Sequence, residues 1–317
     1  MLELIRRHPV GNILLVFVVV QITCIVAGLL YPNSFGYLTP GNVQVMLKAI
    51  PPLAIMVIGV NILMIAGEFD LSVGSCFAFA GLVMASAFNA GSPLILALAL
   101  ALMTGAFIGW LNGVITVKTR IPSFIATLGA LMFWRGMILW ISGEKTTQFL
   151  PATWFENLFN YSRGPLQAQF VWLLILAVGA YLLLERHSLG NHFYGVGGNR
   201  DASLAVGLNP DRVKILAFVL AGMTAALAGV ISATRVHSVS PIQGKGMELQ
   251  AIAACVIGGT SLAGGKGSVF GPLLGTALIY TIQDVLLLVK APGSYLEMFM
   301  GVLIVAAVVV NQLTSKK

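Results

Sequence analysis

The chain has 317 residues, 58% of them hydrophobic and 9% charged, with a mean hydropathy of +0.93. Soluble domains carry roughly 25% charged residues, so a water-facing globular exterior is excluded and the apolar surface must meet lipid. The formal charge of +7 and a pI near 9.5 do not call for nucleic acid, because Lys and Arg gather at the cytoplasmic ends of membrane helices.

A crossing helix needs about 20 apolar residues, and ten runs near that length follow one another. They are Asn12 to Tyr31, Val45 to Ala66, Leu71 to Phe88, Pro93 to Val117, Pro122 to Ser142, Gln169 to Leu184, Val213 to Thr234, Met247 to Leu262, Ser268 to Val289 and Tyr295 to Gln312. This predicts an all-α integral membrane protein, one transmembrane domain over 1–317 with about ten helices. Met1 to Pro9 carries Arg6 and Arg7, and no small-residue cleavage site follows before Tyr31, so the first run reads as an anchor rather than a removed leader. The third, sixth and eighth runs are short, as discontinuous or re-entrant helices are.

With the N-terminus inside, the inner side holds Arg6, Arg7, Lys118, Arg120, Arg186, Arg200, Arg212, Lys214, Lys266, Lys316 and Lys317, eleven of the 18 basic residues. That bias puts both termini in the cytoplasm. A loop of about 143–168 then falls in the periplasm. Its Trp154, Phe155, Phe159 and Tyr161 suit an amphipathic cap or an interfacial aromatic belt.

A second long loop, about 185–212, falls inside. Asn199 is placed to cap a short helix from Arg200 to Val206, Gly207 to close it in the left-handed conformation, and Pro210 to bar its continuation. A two-turn helix cannot hold itself in water, so it needs a docking surface, on this chain's membrane domain or on a partner. Its exposed side chains are expected to be Ala202, Ser203 and Ala205, with Arg200 and Asp201 beside them.

Between the second and third runs, Glu68 and Asp70 stand in AGEFDLSVGS. Asp70 is expected to cap a helix starting at Leu71 through the N–H of Ser72 or Val73, or to sit on a broken-helix turn lining the pathway. Arg135, Glu248 and Asp284 are placed in the outer third of their spans, where Arg135 is expected to pair with one of the two acids. Asn61, Asn112 and Gln283 are expected to tie helices together. Ala54, Val57, Ile58, Gly59 and Leu63 recur at one constant offset as Ala253, Val256, Ile257, Gly258 and Leu262, a faint internal repeat.

Catalytic chemistry has no footing. Cys24, Cys76 and Cys255 lie in apolar runs without metal spacing, and the four histidines form no triad or ligand set. Gly265-Lys266 resembles the end of a phosphate-binding loop, but Thr260 and Gly267 stand where Gly and Ser or Thr are required. No cofactor is expected on this chain.

Four ordered segments, Gly67 to Ser75, Ile121 to Gly136, Gly197 to Leu208 and Glu248 to Gly267, together resemble the permease subunits of ribose-type monosaccharide ATP-binding-cassette importers. The resemblance runs over nearly the whole chain. It implies a bacterial inner-membrane permease working as a pair, with cytoplasmic ATP-binding-cassette subunits that hydrolyse ATP and a periplasmic solute-binding protein. It also implies that Asn199 to Gly207 is the coupling helix seated in the ATPase, and that solute crosses by alternating access. Glu68 departs from the family pattern, which has a small or aliphatic residue there. An ion-gradient-driven transporter, with Asp70 and Asp284 at its site, is the alternative; a passive channel lacks any ring of charge.

Overall fold

The computed structural model describes residues 11–163, 166–295, 297–299, 301–302, 305–306 and 309. The elements are α1 (Gly11–Leu30), α2 (Pro40–Ile65), α3 (Val73–Asn89), α4 (Leu94–Thr119), α5 (Ser123–Ser142), β1 (Thr147–Gln148), α6 (Thr153–Asn160), β2 (Ser162–Arg163), β3 (Leu166–Gln167), α7 (Ala168–Glu185), α8 (Ser188–Gly198), α9 (Arg200–Ala205), α10 (Pro210–Val236), β4 (Ser238–Val239), α11 (Met247–Ile257) and α12 (Phe270–Leu288). Among the described residues seven helices are long and apolar enough to cross a membrane, and α3 and α11 are shorter apolar helices. The first nine predicted runs each correspond to one of these. The tenth, Tyr295 to Gln312, is described only at scattered positions, and both chain ends, with Arg6, Arg7, Lys316 and Lys317, lie outside the described residues.

Several boundaries move for local reasons. Helix α2 begins at Pro40 instead of Val45, because Thr39 Oγ1 accepts from the Asn42 N–H at 3.3 Å and proline suits the first helical position. Helix α10 begins at Pro210: the residue expected only to stop one helix also starts the next, capped by Asn209. Helix α11 stops at Ile257, since Gly259 takes φ +90° and turns the chain.

Helix α10 is the central post, packed against α2, α3 and α4. It meets α4 backbone to backbone: a Cβ on Gly105 or Gly109 would collide with the carbonyls of Gly222 or Phe218. Small residues allow this approach, and in lipid such close packing replaces the hydrophobic drive.

Loops gather at two ends. At one, β1 pairs with β4, Asn89 Nδ2 donates to Gln148 O, and Glu156 on α6 lies 3.2 Å from His237 Nε2. Helix α6 forms the cap there, with Phe155 and Phe159 buried and Trp154 exposed. At the opposite end, which carries α8 and α9, the Phe69 N–H donates to Ser123 Oγ and the Gly265 N–H to Ile65 O. The repeated pentad of the sequence proves to mark neighbours: α2 and α11 lie together, and Thr260 Oγ1 donates to Asn61 Oδ1 at 2.6 Å.

Candidate functional site

The α9 end is built by local signals. Asn199 Oδ1 accepts the Ala202 N–H at 3.0 Å, and Gly207, at φ +83°, closes the helix as its N–H reaches Leu204 O and that of Leu208 reaches Ser203 O. The exposed surface comprises Arg200, Asp201, Ala202, Leu204, Ala205 and Val206, with Val206 76% exposed. Ser203 is not on it. Its hydroxyl turns back to Asn199 O and it is buried, since it faces the base of the helix. Arg200 pairs with Asp211 at 3.2 Å on the surface. The sequence reading missed Leu204 and Val206 as exposed apolar groups, and it missed helix α8 altogether, whose glycines mask its periodicity.

Helix α8 connects this tip to the membrane helices. A Cβ on Gly197 would overlap Ile65 O, and one on Gly264 or Gly265 would press on Gly197 or Gly198. Three backbones therefore meet: the end of α2, the end of α8 and the glycine turn after α11. Tyr194 on α8 donates to Gly267 O at 3.1 Å. Burial, and after it the Glu185 carboxylate, pushes the Tyr194 phenol up to about 12, so the hydroxyl keeps the proton this bond requires. The glycines that mimicked a phosphate loop are engaged in this junction. Pairs of glycines in GVGG and AGGKG were the available signal.

The turn before α3 is a buried polar knot. Asp70, 1% exposed, accepts from the Ser72 N–H and Oγ, each at 2.7 Å, and from Asn112 Nδ2 at 3.2 Å. The expected bond to Ser72 forms, but α3 starts at Val73 rather than Leu71, so the carboxylate caps a turn ahead of the helix. Thr127 Oγ1 on α5 accepts the Leu71 N–H at 3.1 Å. Glu68 forms an ion pair with Lys214 on α10, with side chains only 12% and 18% exposed.

The expected charge cluster of Arg135, Glu248 and Asp284 does not form. Asp284 accepts from Asn42 Nδ2 at 2.8 Å, at the start of α2. Arg135 Nη1 donates to Pro241 O and Gln243 O, both at 2.8 Å, so main-chain carbonyls take the guanidinium. Among the described residues it makes no ion pair with Glu248, although it lies within electrostatic range of that carboxylate. Asp70 and Asp284, on which the ion-gradient alternative leaned, are also apart: one follows α2 and the other bonds near its start, and α2 is about 39 Å long.

A bundle of apolar helices interrupted by glycine turns, with a capped helix projecting from one end, defines a multi-pass membrane protein. Residues 42–308 match the family model described as branched-chain amino acid transport system / permease component. The chain belongs to this family of inner-membrane permeases of the ATP-binding-cassette importer class. It is 36% identical to the ribose import permease protein RbsC of Escherichia coli, over 89% of this chain and 88% of that protein. It is 35% identical to the autoinducer 2 import system permease protein LsrC of Yersinia enterocolitica, over 81% of this chain and 71% of the relative. No solved structure matches.

Proposed function

We propose that this chain is the permease of a sugar importer, assembled as a pair with cytoplasmic cassette ATPases and a periplasmic solute-binding protein. The α9 end faces the cytoplasm in this reading and the α6 cap faces outward. The observation that carries it is α9 itself: a capped helix of six residues, too short to be stable alone, projecting Ala202, Leu204, Ala205 and Val206 into solvent. Such a surface is explained by a groove on an ATPase. Closure of the cassettes then moves α8, and the glycine junction passes that movement to the turns after α2 and α11. Solute crosses by alternating access, and this chain performs no covalent step.

Ala202 and Ala205, three apart, share a face of α9 that seats closely only while it stays small. Ala202→Trp and Ala205→Trp are expected to insert and express normally, lose co-purification with the cassette subunit, and abolish ATP-dependent sugar uptake in proteoliposomes. Full uptake with both indoles in place would sink the reading.

A further inference from the structure

The segment between β4 and α11 enters the membrane. A Cβ on Gly244 would lie 2.5 Å from Gly74 O and 3.0 Å from the Phe77 ring, which puts Gly244 level with the first turn of α3. From Gly74 to Asn89, at the cap end, is about 22 Å of helix. Leu131, whose carbonyl accepts from Ser75 Oγ, is about 12 Å of helix beyond Ser123 at the other end. Gly244 therefore sits well inside a hydrocarbon core about 30 Å thick.

This stretch is irregular, polar and uncovered. Residues 241–246 are turns with positive φ at Gly244 and Gly246, yet Ile242 is 69% exposed and Lys245 is exposed. Irregular backbone at such depth is tolerated only inside protein or beside water, and an ammonium there cannot face acyl chains. Against it stand Arg135, which holds Pro241 O and Gln243 O, and Glu248, 8% exposed. Glu248 Oε1 accepts the Gly246 N–H at 3.1 Å, whereas Oε2 has no partner. That oxygen is enclosed against Gly74 of α3, where an added Cβ would overlap it, so the carboxylate faces the protein and Lys245 is the charged group that the segment turns outward.

We infer that the re-entering segment lines the solute path, with Lys245 presented to a hydroxyl-rich, uncharged solute. Hydroxyl oxygens accept hydrogen bonds, so they match an ammonium donor turned outward from the segment. The inference rests on the importer reading for the class of solute, and on geometry alone for the presence of water.

Labelling separates the two. In a background with Cys24, Cys76 and Cys255 changed to alanine, Lys245→Cys and Ile242→Cys are exposed, in unsealed membranes, to a charged methanethiosulfonate reagent. Leu174→Cys, on the apolar outer face of α7, serves as the lipid control, and Leu150→Cys, in the cap-end loop, as the water control. Only a hydrated thiol ionises and reacts, so the two segment cysteines are expected to label at least about ten-fold faster than Leu174→Cys. If both match Leu174→Cys while Leu150→Cys reacts, the proposal is overturned. Neither ATPase nor solute is needed, so a failure here leaves the importer reading standing. Lys245→Met then tests the contact: sugar uptake is expected to fall about ten-fold, the equivalent of 1.4 kcal/mol, with cassette co-purification unchanged. Unchanged uptake would remove the contact.

Discussion

Two helix–turn–helix units, α2–α3 and α11–α12, begin their turns identically and complete them by different means. In each, a residue in the right-handed conformation precedes a glycine with positive φ, Gly67 at +85° and Gly259 at +90°. The next two N–H groups close back in the same pattern, Gly67 to Met64 O and Glu68 to Leu63 O in one, Gly259 to Val256 O and Thr260 to Cys255 O in the other. Beyond that, the first turn is framed by side chains of α4 and α5 around Asp70. The second relies more on backbone, Ser261 N–H to Lys266 O, Gly264 N–H to Ser261 O and Gly265 N–H to Ile65 O, with neutral side-chain ties from Asn61 on α2 and Tyr194 on α8. The first turn is thereby fastened to its neighbours around a buried carboxylate, whereas the second leans on α2 and α8 through glycine contacts and neutral hydrogen bonds, with no charge to unpair. Motion arriving through α8 is expected to displace the second turn against the first.

The junction where α8 touches both units gives the largest effect. Gly197 has no room for a Cβ against Ile65 O, while the nearest atom to one on Gly198 is 3.7 Å away. Gly197→Val is expected to cost more than about 3 kcal/mol, since backbone yields less than a side chain, and to lower the thermal midpoint of the purified permease sharply. Gly198→Ala provides the matched control and is expected to leave that midpoint nearly unchanged. Equal midpoints for the two variants would show that the junction is loose and transmits nothing.

The side-chain frame of the first turn comes next. Asp70→Ala leaves the Ser72 N–H and Oγ without their acceptor in a buried site, while Asn112 keeps its bond to Ser72 Oγ, a loss of about 1–3 kcal/mol. Asp70→Asn keeps one acceptor oxygen and is expected to lose less. Both are read by thermal unfolding in detergent. If Asp70→Ala is as stable as the parent, the first turn is not fastened as described, and the contrast with the second falls.

Much of this was legible in the sequence where the signal was local. Nine membrane runs follow from hydropathy, and α9 follows from Asn199, Gly207 and Pro210 because caps act within a few residues. The start of α2 was obscured by Asn42 and Gln44, which dilute the apolar run, and α8 by four glycines in eleven residues. The segment 240–246 reads as a surface loop from composition, since Ser, Gln, Gly and Lys carry no mark of depth. Depth became visible only when Gly244 met Gly74. Likewise, the Arg135 partners are carbonyls, which no side-chain pattern announces, and Glu68 and Lys214 stand 146 positions apart.

That last pair refines the comparison most finely, because it ties the first turn to α10 and the second turn has no counterpart among the described ion pairs. Its side chains are neither fully exposed nor fully buried, so the pair contributes more than a screened surface contact, on the order of 1 kcal/mol. Lys214→Met strands a partly buried carboxylate, and Glu68→Gln strands an ammonium; each is expected to lower the thermal midpoint slightly. Glu68→Gln also places an uncharged residue where the resemblance to ribose-type permeases implies a small or aliphatic one, so sugar uptake is expected to persist in it. The reversed pair, Glu68→Lys with Lys214→Glu, keeps the attraction and is expected to recover part of the stability that Glu68→Lys alone loses. A double-mutant cycle with no coupling between the two positions would reduce the ion pair to proximity. The fastening of the first turn would then rest on Asp70, Ser72 and Asn112 together with Ser123 and Thr127 of α5.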